Sequence, residues 1–149
     1  VMKSFKIAFV LLLMLLSINC NEKPAEITFH KSHIEQRNQA PFSDAVEAGN
    51  FLFLTGQIGK NHDTNSLVEG GIQAETKQAI ENIKAVLEHH NLSLNQVVKC
   101  TVILKDINDF RSFNKVYEDY FPSKPARTTF AAKDLAGNAL IEIDVIASK

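Results

Sequence analysis

The chain has 149 residues, a formal net charge of -1 at pH 7 and a hydrophobic content of 45%. This length predicts one globular domain behind a short leader, with enough apolar residues to bury a core. The near-neutral charge and the absence of a lysine or arginine run disfavour nucleic-acid binding. Two cysteines, Cys20 and Cys100, are too few for a disulfide framework and lack the spacing of a metal site, so Cys100 is expected to be a small core residue.

The N-terminal segment has the pattern of an export signal. A short positively charged region at residues 3–6 precedes an apolar stretch at residues 7–16. That stretch is too short for a comfortable membrane span, which predicts a signal peptide over residues 1–20. Cys20 at its end is similar to the lipid-acceptor cysteine of bacterial lipoproteins, and this predicts a periplasmic protein or a membrane-anchored lipoprotein. Plain secretion and an uncleaved anchor stay open as alternatives.

A short strand is predicted at residues 26–30, and a β-hairpin at residues 45–59. Two apolar runs in the hairpin flank Gly49 and Asn50, a pair that favours a tight turn. The second run ends at Gly56, where the missing side chain would let a backbone amide approach a ligand closely. A bulge or a strand end would explain a glycine at this position equally well.

Two amphipathic helices are predicted on either side of a buried strand. In the first, apolar residues recur at helical spacing from Ile72 onwards, and Asn91 is suited to the left-handed position that ends a helix. The strand at residues 97–104 is apolar and β-branched. Asp106 or Asn108 can cap the second helix. That helix carries an aromatic stripe, which predicts core packing, formed by Phe110, Phe113, Tyr117, Tyr120 and Phe121.

Two C-terminal strands carry charged residues in an informative pattern. Polar and apolar residues alternate in residues 125–130 and 141–146, so each polar set projects from one surface. If both strands share one sheet and one apolar face, Arg127, Glu142 and Asp144 rise from the same polar surface. There a guanidinium could bind a carboxylate through two hydrogen bonds, while Glu142 could position water or transfer a proton. A solvated cross-strand ion pair would explain the same pattern.

The predicted order of elements is hairpin, helix, strand, helix, strand, strand. This order indicates an α+β domain with one mixed sheet and both helices on a single face. The other face is expected to carry the three charged residues beside apolar ones such as Ile146, and is too apolar for bare solvent. Partial burial against another subunit, in a small cyclic oligomer, is the expected consequence.

The sequence resembles the RidA family of enamine and imine deaminases over nearly all of residues 39–147. The likeness implies a tether and first strand at residues 21–38 and a RidA-like domain at residues 39–149. Several dispersed motifs carry it in the family's order, among them Ala40-Pro41-Phe42-Ser43-Asp44-Ala45, Thr55-Gly56-Gln57-Ile58, Glu81-Asn82-Ile83-Lys84, Asn114-Lys115-Val116-Tyr117, Pro125-Ala126-Arg127-Thr128 and Ile141-Glu142-Ile143-Asp144.

The resemblance implies a chorismate-mutase-like fold, with a mixed six-stranded sheet, two helices on one face and a homotrimer whose pockets lie at the subunit boundaries. It also implies hydrolysis of reactive enamines and imines of the 2-iminobutanoate and 2-iminopropanoate type to 2-keto acids and ammonia. No cofactor, metal or nucleic acid is implied. The small-molecule partner implied is an imine or a keto acid, and the leader predicts membrane contact only through a lipid anchor at Cys20.

The resemblance also assigns roles to individual residues. Arg127 matches the arginine that binds the substrate carboxylate, and Glu142 matches the acid that positions and activates water. Gly56 and Thr129 match positions where backbone groups contact the ligand. Thr55 and Asn114 match positions whose side chains line the pocket.

Three positions depart from the family's pattern. Phe42 stands where the deaminases commonly have tyrosine, Thr129 replaces a frequent cysteine or serine, and Ala136 stands where proline is often found. Phe42 removes a hydroxyl from the pocket, so these departures predict altered substrate preference or weaker deaminase activity. A trimeric protein of the cell envelope that binds small carboxylates or keto acids without turnover stays open as an alternative.

Overall fold

The computed structural model describes residues 24–149. The predicted signal peptide at residues 1–20, including the lipidation candidate Cys20, lies outside the described residues. Within residues 24–149, no helix combines the length and the apolar character needed to span a membrane.

The described part of the chain forms strands that alternate with two α-helices. The strands are β1 (Ile27–His30), β2 (Ala45–Ala48), β3 (Phe51–Leu54), β4 (Gln57–Ile58), β5 (Lys60–Asn61), β6 (Ser66–Leu67), β7 (Val97–Leu104), β8 (Ala126–Ala131) and β9 (Ile141–Ser148). The helices are α1 (Gly71–His89) and α2 (Phe110–Tyr120). Short 3-10 turns occupy Glu35–Arg37, Leu94–Gln96, Ile107–Asp109 and Ala136–Asn138.

One mixed sheet organises these elements, in the order β1-β2-β3-β9-β7-β8, with the short β4 also paired to β9. All neighbours are antiparallel except β7 and β8, which are parallel because α2 provides the crossover between them. β5 and β6 form a separate two-stranded ribbon. The predicted α+β fold with two helices and a mixed sheet is confirmed; six strands form the continuous path, and β4 adds a seventh.

The predicted end of α1 is confirmed, whereas the residue predicted to cap α2 caps the 3-10 turn before it, and α2 itself begins after Asp109 without a side-chain cap. Asn91 has a φ of 58°, the left-handed conformation expected just after α1. The Asp106 side chain accepts a hydrogen bond of 2.9 Å from the Asn108 backbone N–H, and this starts the turn that leads into α2. Gly49 likewise has a φ of 57° in the turn between β2 and β3, as the predicted hairpin requires.

The hydrophobic core lies between the helices and one face of the sheet. Its fully buried members include Ile80, Ile83, Leu87, Val102, Leu104, Phe113, Ile141 and Ile143. The opposite face of the sheet, called here the open face, exposes large apolar side chains. These are Ile27, Phe29, Phe51, Phe53 and Phe130, with Phe29 70% exposed.

The strand register corrects the predicted placement of the charged residues. Arg127 pairs with Cys100, which is fully buried under the helices, so Arg127 lies on the helix-covered face. In β9, Cys100 pairs with Val145, which therefore also faces the helices. Glu142 and Asp144 lie an odd number of positions from Val145, so both carboxylates project from the open face. The predicted common polar surface is therefore wrong. β8 is an edge strand, and it turns Phe130 rather than Arg127 to the open face.

Candidate functional site

The predicted site residues fall into two separate clefts of the subunit. One cleft of about 610 Å³, called here the carboxylate cleft, contains four of them, namely Phe42, Thr55, Gly56 and Glu142. Another of about 520 Å³, the arginine cleft, contains Arg127 and Asn114. Thr129 lies two positions along β8 from Arg127 and faces the same side of the sheet. Sequence reasoning thus found residues of both clefts but placed them on one surface.

Helix α2 holds the Arg127 side chain in the arginine cleft. The guanidinium carbon lies 4.9 Å from the centre of the Phe113 ring and 4.6 Å from the centre of the Tyr117 ring. These cation–π contacts orient the guanidinium group. Arg127 forms no ion pair with any residue of the described range 24–149. Its charge is therefore available to an anion.

Three buried polar atoms near Arg127 lack a hydrogen-bond partner among residues 24–149. They are Asn114 Oδ1, the Tyr117 hydroxyl and Thr129 Oγ1. Buried polar groups are normally satisfied, so this cluster indicates a ligand or a second subunit beside α2. Sequence reasoning assigned Tyr117 to the core only. The Tyr117 ring does pack in the core, but Tyr117 also lines the arginine cleft. No sequence signal distinguishes a core residue from one that also lines a cleft.

In the carboxylate cleft, Glu142 lies directly against the backbone of Gly56. The pairing of β4 with β9 brings them together, and a Cβ atom added at Gly56 would overlap the Glu142 carboxylate. The close approach predicted at Gly56 is therefore made by a side chain of the protein itself. Burial, and then the negative charge of Asp144, raise the pKa of Glu142 above its usual value. A raised pKa makes the Glu142 carboxylate a stronger base than that of an ordinary glutamate, and so better suited to accept a proton.

Arg37 belongs to the carboxylate cleft but was not predicted there. Its guanidinium pairs with Asp44 Oδ1 at 2.9 Å and donates a hydrogen bond of 2.8 Å to Gln57 Oε1. The same group lies 5.8 Å from the centre of the Phe42 ring. Arg37 falls in the segment predicted as tether and first strand, and a single arginine in a polar segment carries no signal of such contacts.

Lys60 and His62 also line the carboxylate cleft. Burial, and then the positive charges of Arg37 and Lys60, lower the pKa of His62. In the sequence they sit in a polar turn region without motif spacing. Only their position directly after the Gly56-Gln57-Ile58 segment could have drawn attention to them.

The part of the chain from residue 24 onwards contains no cluster of three or more His, Cys, Asp or Glu side chains arranged for a metal ion. Cys100 is buried, and burial raises its pKa to about 11. A thiol in that state is a poor nucleophile at neutral pH, so Cys100 has the core role predicted for it.

Residues 34–149 match the sequence model of the Ribonuc_L-PSP family, described as Endoribonuclease L-PSP. The chain belongs to this family, which is the RidA family of the predicted resemblance. It is 51% identical over 110 residues to the RutC family protein PH0854 of Pyrococcus horikoshii, covering 73% of this chain and 87% of that protein. It is 42% identical over 107 residues to the 2-iminobutanoate/2-iminopropanoate deaminase of Dermatophagoides farinae, covering 71% and 84% respectively.

A solved structure supports the same assignment. YyfA from Yersinia pestis, a member of the conserved Rid protein family, superimposes with a TM-score of 0.77 and 34% sequence identity. The match covers 83% of this chain and all of the Yersinia chain, 100%. The RidA-like fold predicted from the sequence motifs is therefore confirmed.

Proposed function

We propose that this RidA family protein is a cofactor-independent hydrolase that converts imines of the 2-iminobutanoate and 2-iminopropanoate type, and their enamine tautomers, to 2-keto acids and ammonia. The supporting observation is the presence of an uncompensated guanidinium at Arg127 and a carboxyl group of raised pKa at Glu142. These are the two groups that binding and hydrolysis of a 2-imino acid require. Relatives named 2-iminobutanoate/2-iminopropanoate deaminase, from mite and mouse, support the same substrate class.

The proposal includes a composite site between subunits. Arg127 and Glu142 lie on opposite faces of the sheet, so one subunit cannot apply both to the same small ligand. In a homotrimer, the arginine cleft of one subunit can face the carboxylate cleft of the next. The exposed apolar residues of the open face, including Phe51 and Phe53, support such an assembly, because a surface of this kind is normally covered by a partner.

The chemistry follows from the two groups. Arg127 binds the substrate carboxylate through paired hydrogen bonds and so fixes the adjacent imine carbon. Glu142 accepts a proton from a water molecule, and the water oxygen attacks the carbon of the C=N bond. Glu142 returns this proton to the nitrogen to give an amino alcohol. Transfer of the hydroxyl proton to the nitrogen, again through Glu142, then lets the C–N bond break, and ammonia leaves as the C=O bond forms. One imine and one water thus yield one keto acid and one ammonia.

The test is keto acid and ammonia release by the purified protein from imines that an amino-acid oxidase produces in situ from alanine and 2-aminobutyrate. We expect Glu142→Gln to lower kcat by about 100-fold, the usual contribution of general acid–base catalysis, with keto acid binding retained. Arg127→Ala should lower kcat/KM at least about tenfold, since it removes a charged bidentate contact.

Arg111→Ala, which removes an exposed arginine of α2, serves as the matched control and should leave kcat/KM unchanged. Turnover that survives Arg127→Ala would contradict the proposal. Keto acid binding that depends on Arg127, without turnover of any imine, would instead establish a carboxylate-binding protein on this scaffold.

A further inference from the structure

Four histidines from two distant segments meet at the carboxyl end of α1. The ring centres of His30 and His90 are 4.5 Å apart, those of His33 and His89 are 5.0 Å apart, and those of His89 and His90 are 5.3 Å apart. His30 ends β1 and His33 soon follows it, whereas His89 and His90 end α1. This group, called here the histidine cluster, is not arranged to hold a metal ion. What its members share is the ability to gain a positive charge just below neutral pH.

The histidine cluster is where β1 docks against the rest of the subunit. β1 is an edge strand that pairs with β2, and its first three residues are exposed. His30 is half-buried and pairs with Ala45, a fully buried residue of the core. Its ring therefore lies on the helix-covered face of the sheet, where it meets the His90 ring at the end of α1.

The charged groups around the histidine cluster do not offset several new positive charges. The carboxylates that flank it on β2, on the segment before β2 and on α1 are already paired with cations, namely Glu47 with Lys149, Asp44 with Arg37 and Glu88 with Lys84. Glu47 Oε2 lies 3.7 Å from His30 Nε2 and attracts a proton there, as does the negative end of α1. Protonation of all four rings would nevertheless place like charges on neighbouring rings, and these repel one another.

The surroundings favour the neutral form of the rings. Burial, and then the charges of His30 and His89, lower the pKa of His90, although Glu47 acts in the opposite direction. Burial, and then the charge of His89, lower the pKa of His33. The docked state thus binds fewer protons than the undocked state. Docking of β1 is therefore most stable above the ordinary histidine pKa of about 6.5 and weakens as the pH falls below it.

A path of backbone hydrogen bonds joins the histidine cluster to the carboxylate cleft. The Asp44 N–H donates to the His30 carbonyl at 2.9 Å, and the Thr55 N–H donates to the Asp44 carbonyl at 3.0 Å. Thr55 lines the cleft, and so do Arg37 and Phe42 from the segment between β1 and β2. Undocking of β1 would therefore loosen one wall of the cleft.

We propose that the histidine cluster is a pH-sensitive latch, which holds β1 and residues 31–44 in place at neutral pH and releases them in acid. Repulsion between imidazolium rings drives the release. The wall of the carboxylate cleft formed by residues 31–44 is then ordered at neutral pH and loosened in acid. The latch goes beyond the proposed function, and its operation does not require turnover of an imine.

The test is amide hydrogen exchange of the whole protein at about pH 7.5 and about pH 5.5, with protection expressed relative to the unstructured chain at each pH. We expect the protection of β1 and of the Thr55 amide to fall about tenfold between the two pH values, while that of the central strand β7 changes less than about twofold. In the double variant His89→Gln/His90→Gln the fall should shrink to about twofold. Lys77→Gln, which removes an exposed lysine of α1, is the control and should respond as the wild type does.

His33→Gln, at an exposed position outside the helix, provides a second variant in which α1 is unchanged. It removes one ring of the stacked pair and should also make the fall in β1 protection smaller. Protection of β1 that is the same at both pH values in the wild type would overturn the latch. A fall of wild-type size in both histidine variants would overturn it too, since other groups would then be responsible. An equal fall in β7 would mean global unfolding in acid and would likewise overturn it.

Discussion

The Glu142 carboxylate packs directly against the Gly56 backbone of the same subunit. The carboxylate occupies the space above the Gly56 backbone where any larger residue would place its Cβ atom. The sequence drew attention to both residues, Gly56 as a point of close backbone approach and Glu142 as an acid on a regular strand. That they touch each other followed only from the pairing of β4 with β9.

This contact predicts a strong interaction between substitutions. Gly56→Ala should lower the free energy of unfolding by about 1–3 kcal/mol, because the added methyl group overlaps the Glu142 carboxylate. In a Glu142→Ala background the overlap disappears, so Gly56→Ala should then cost less than about 0.5 kcal/mol. Urea unfolding of the four proteins in the cycle measures the difference. Equal destabilisation in both backgrounds would show that the two residues do not compete for this space.

At the scale of secondary-structure elements, helix α1 fixes the turn that contributes Ile58 and Lys60 to the carboxylate cleft. The Asn82 amide donates to the backbone carbonyls of Ile58 at 3.1 Å and Lys60 at 2.9 Å, across the turn between β4 and β5. The Gln78 side chain in turn donates to Asn82 Oδ1 at 2.8 Å, which fixes the direction of the amide. Periodicity alone shows Asn82 on a helix but not that it holds a neighbouring turn.

Asn82→Ala should therefore lower the free energy of unfolding by about 2–3 kcal/mol, because two hydrogen bonds are lost and their carbonyl acceptors lose a partner. Asn95→Ala, at an exposed position of the Leu94–Gln96 turn, is the matched control and should change it by less than about 0.5 kcal/mol. Thermal or urea unfolding measures both variants. An Asn82→Ala protein as stable as the control would show that Asn82 does not hold the turn.

For the whole molecule, the separation of the two clefts has the largest consequence. A single subunit presents Arg127 on the helix-covered face and Glu142 on the open face. Symmetric assembly is the economical way to bring such groups together, and each boundary of a cyclic trimer would repeat the same contact. The proposed activity is therefore inseparable from the proposed oligomeric state.

Mixing two impaired variants tests this arrangement. In trimers refolded from equal amounts of Arg127→Ala and Glu142→Gln subunits, about a quarter of the boundaries should combine an intact arginine with an intact glutamate. Imine hydrolysis should return to about a quarter of the wild-type rate, while each variant alone keeps only its low residual rate. Recovery should be lost if the two variants are refolded separately and assayed together without exchange. No recovery in mixed trimers would place both groups in one subunit.

Several features of this protein were determined by the sequence alone. The extent of α1, the left-handed Asn91 after it and the tight turn at Gly49 all appeared where local patterns predicted them. Helical periodicity and turn chemistry depend on residues a few positions apart, so they can be read directly from the chain. The dispersed family motifs extended this reading to the fold, and they predicted Arg127 and Glu142 as site residues.

Only the tertiary structure decided on which face each charged residue lies. Alternation shows that Arg127 and Phe130 point in opposite directions, but not which of them meets the helices, because that depends on where α2 packs over the edge strand. Arg37 and Lys60 likewise reach one cleft through contacts between distant segments. No local pattern encodes such contacts, since they arise from packing of whole elements against one another.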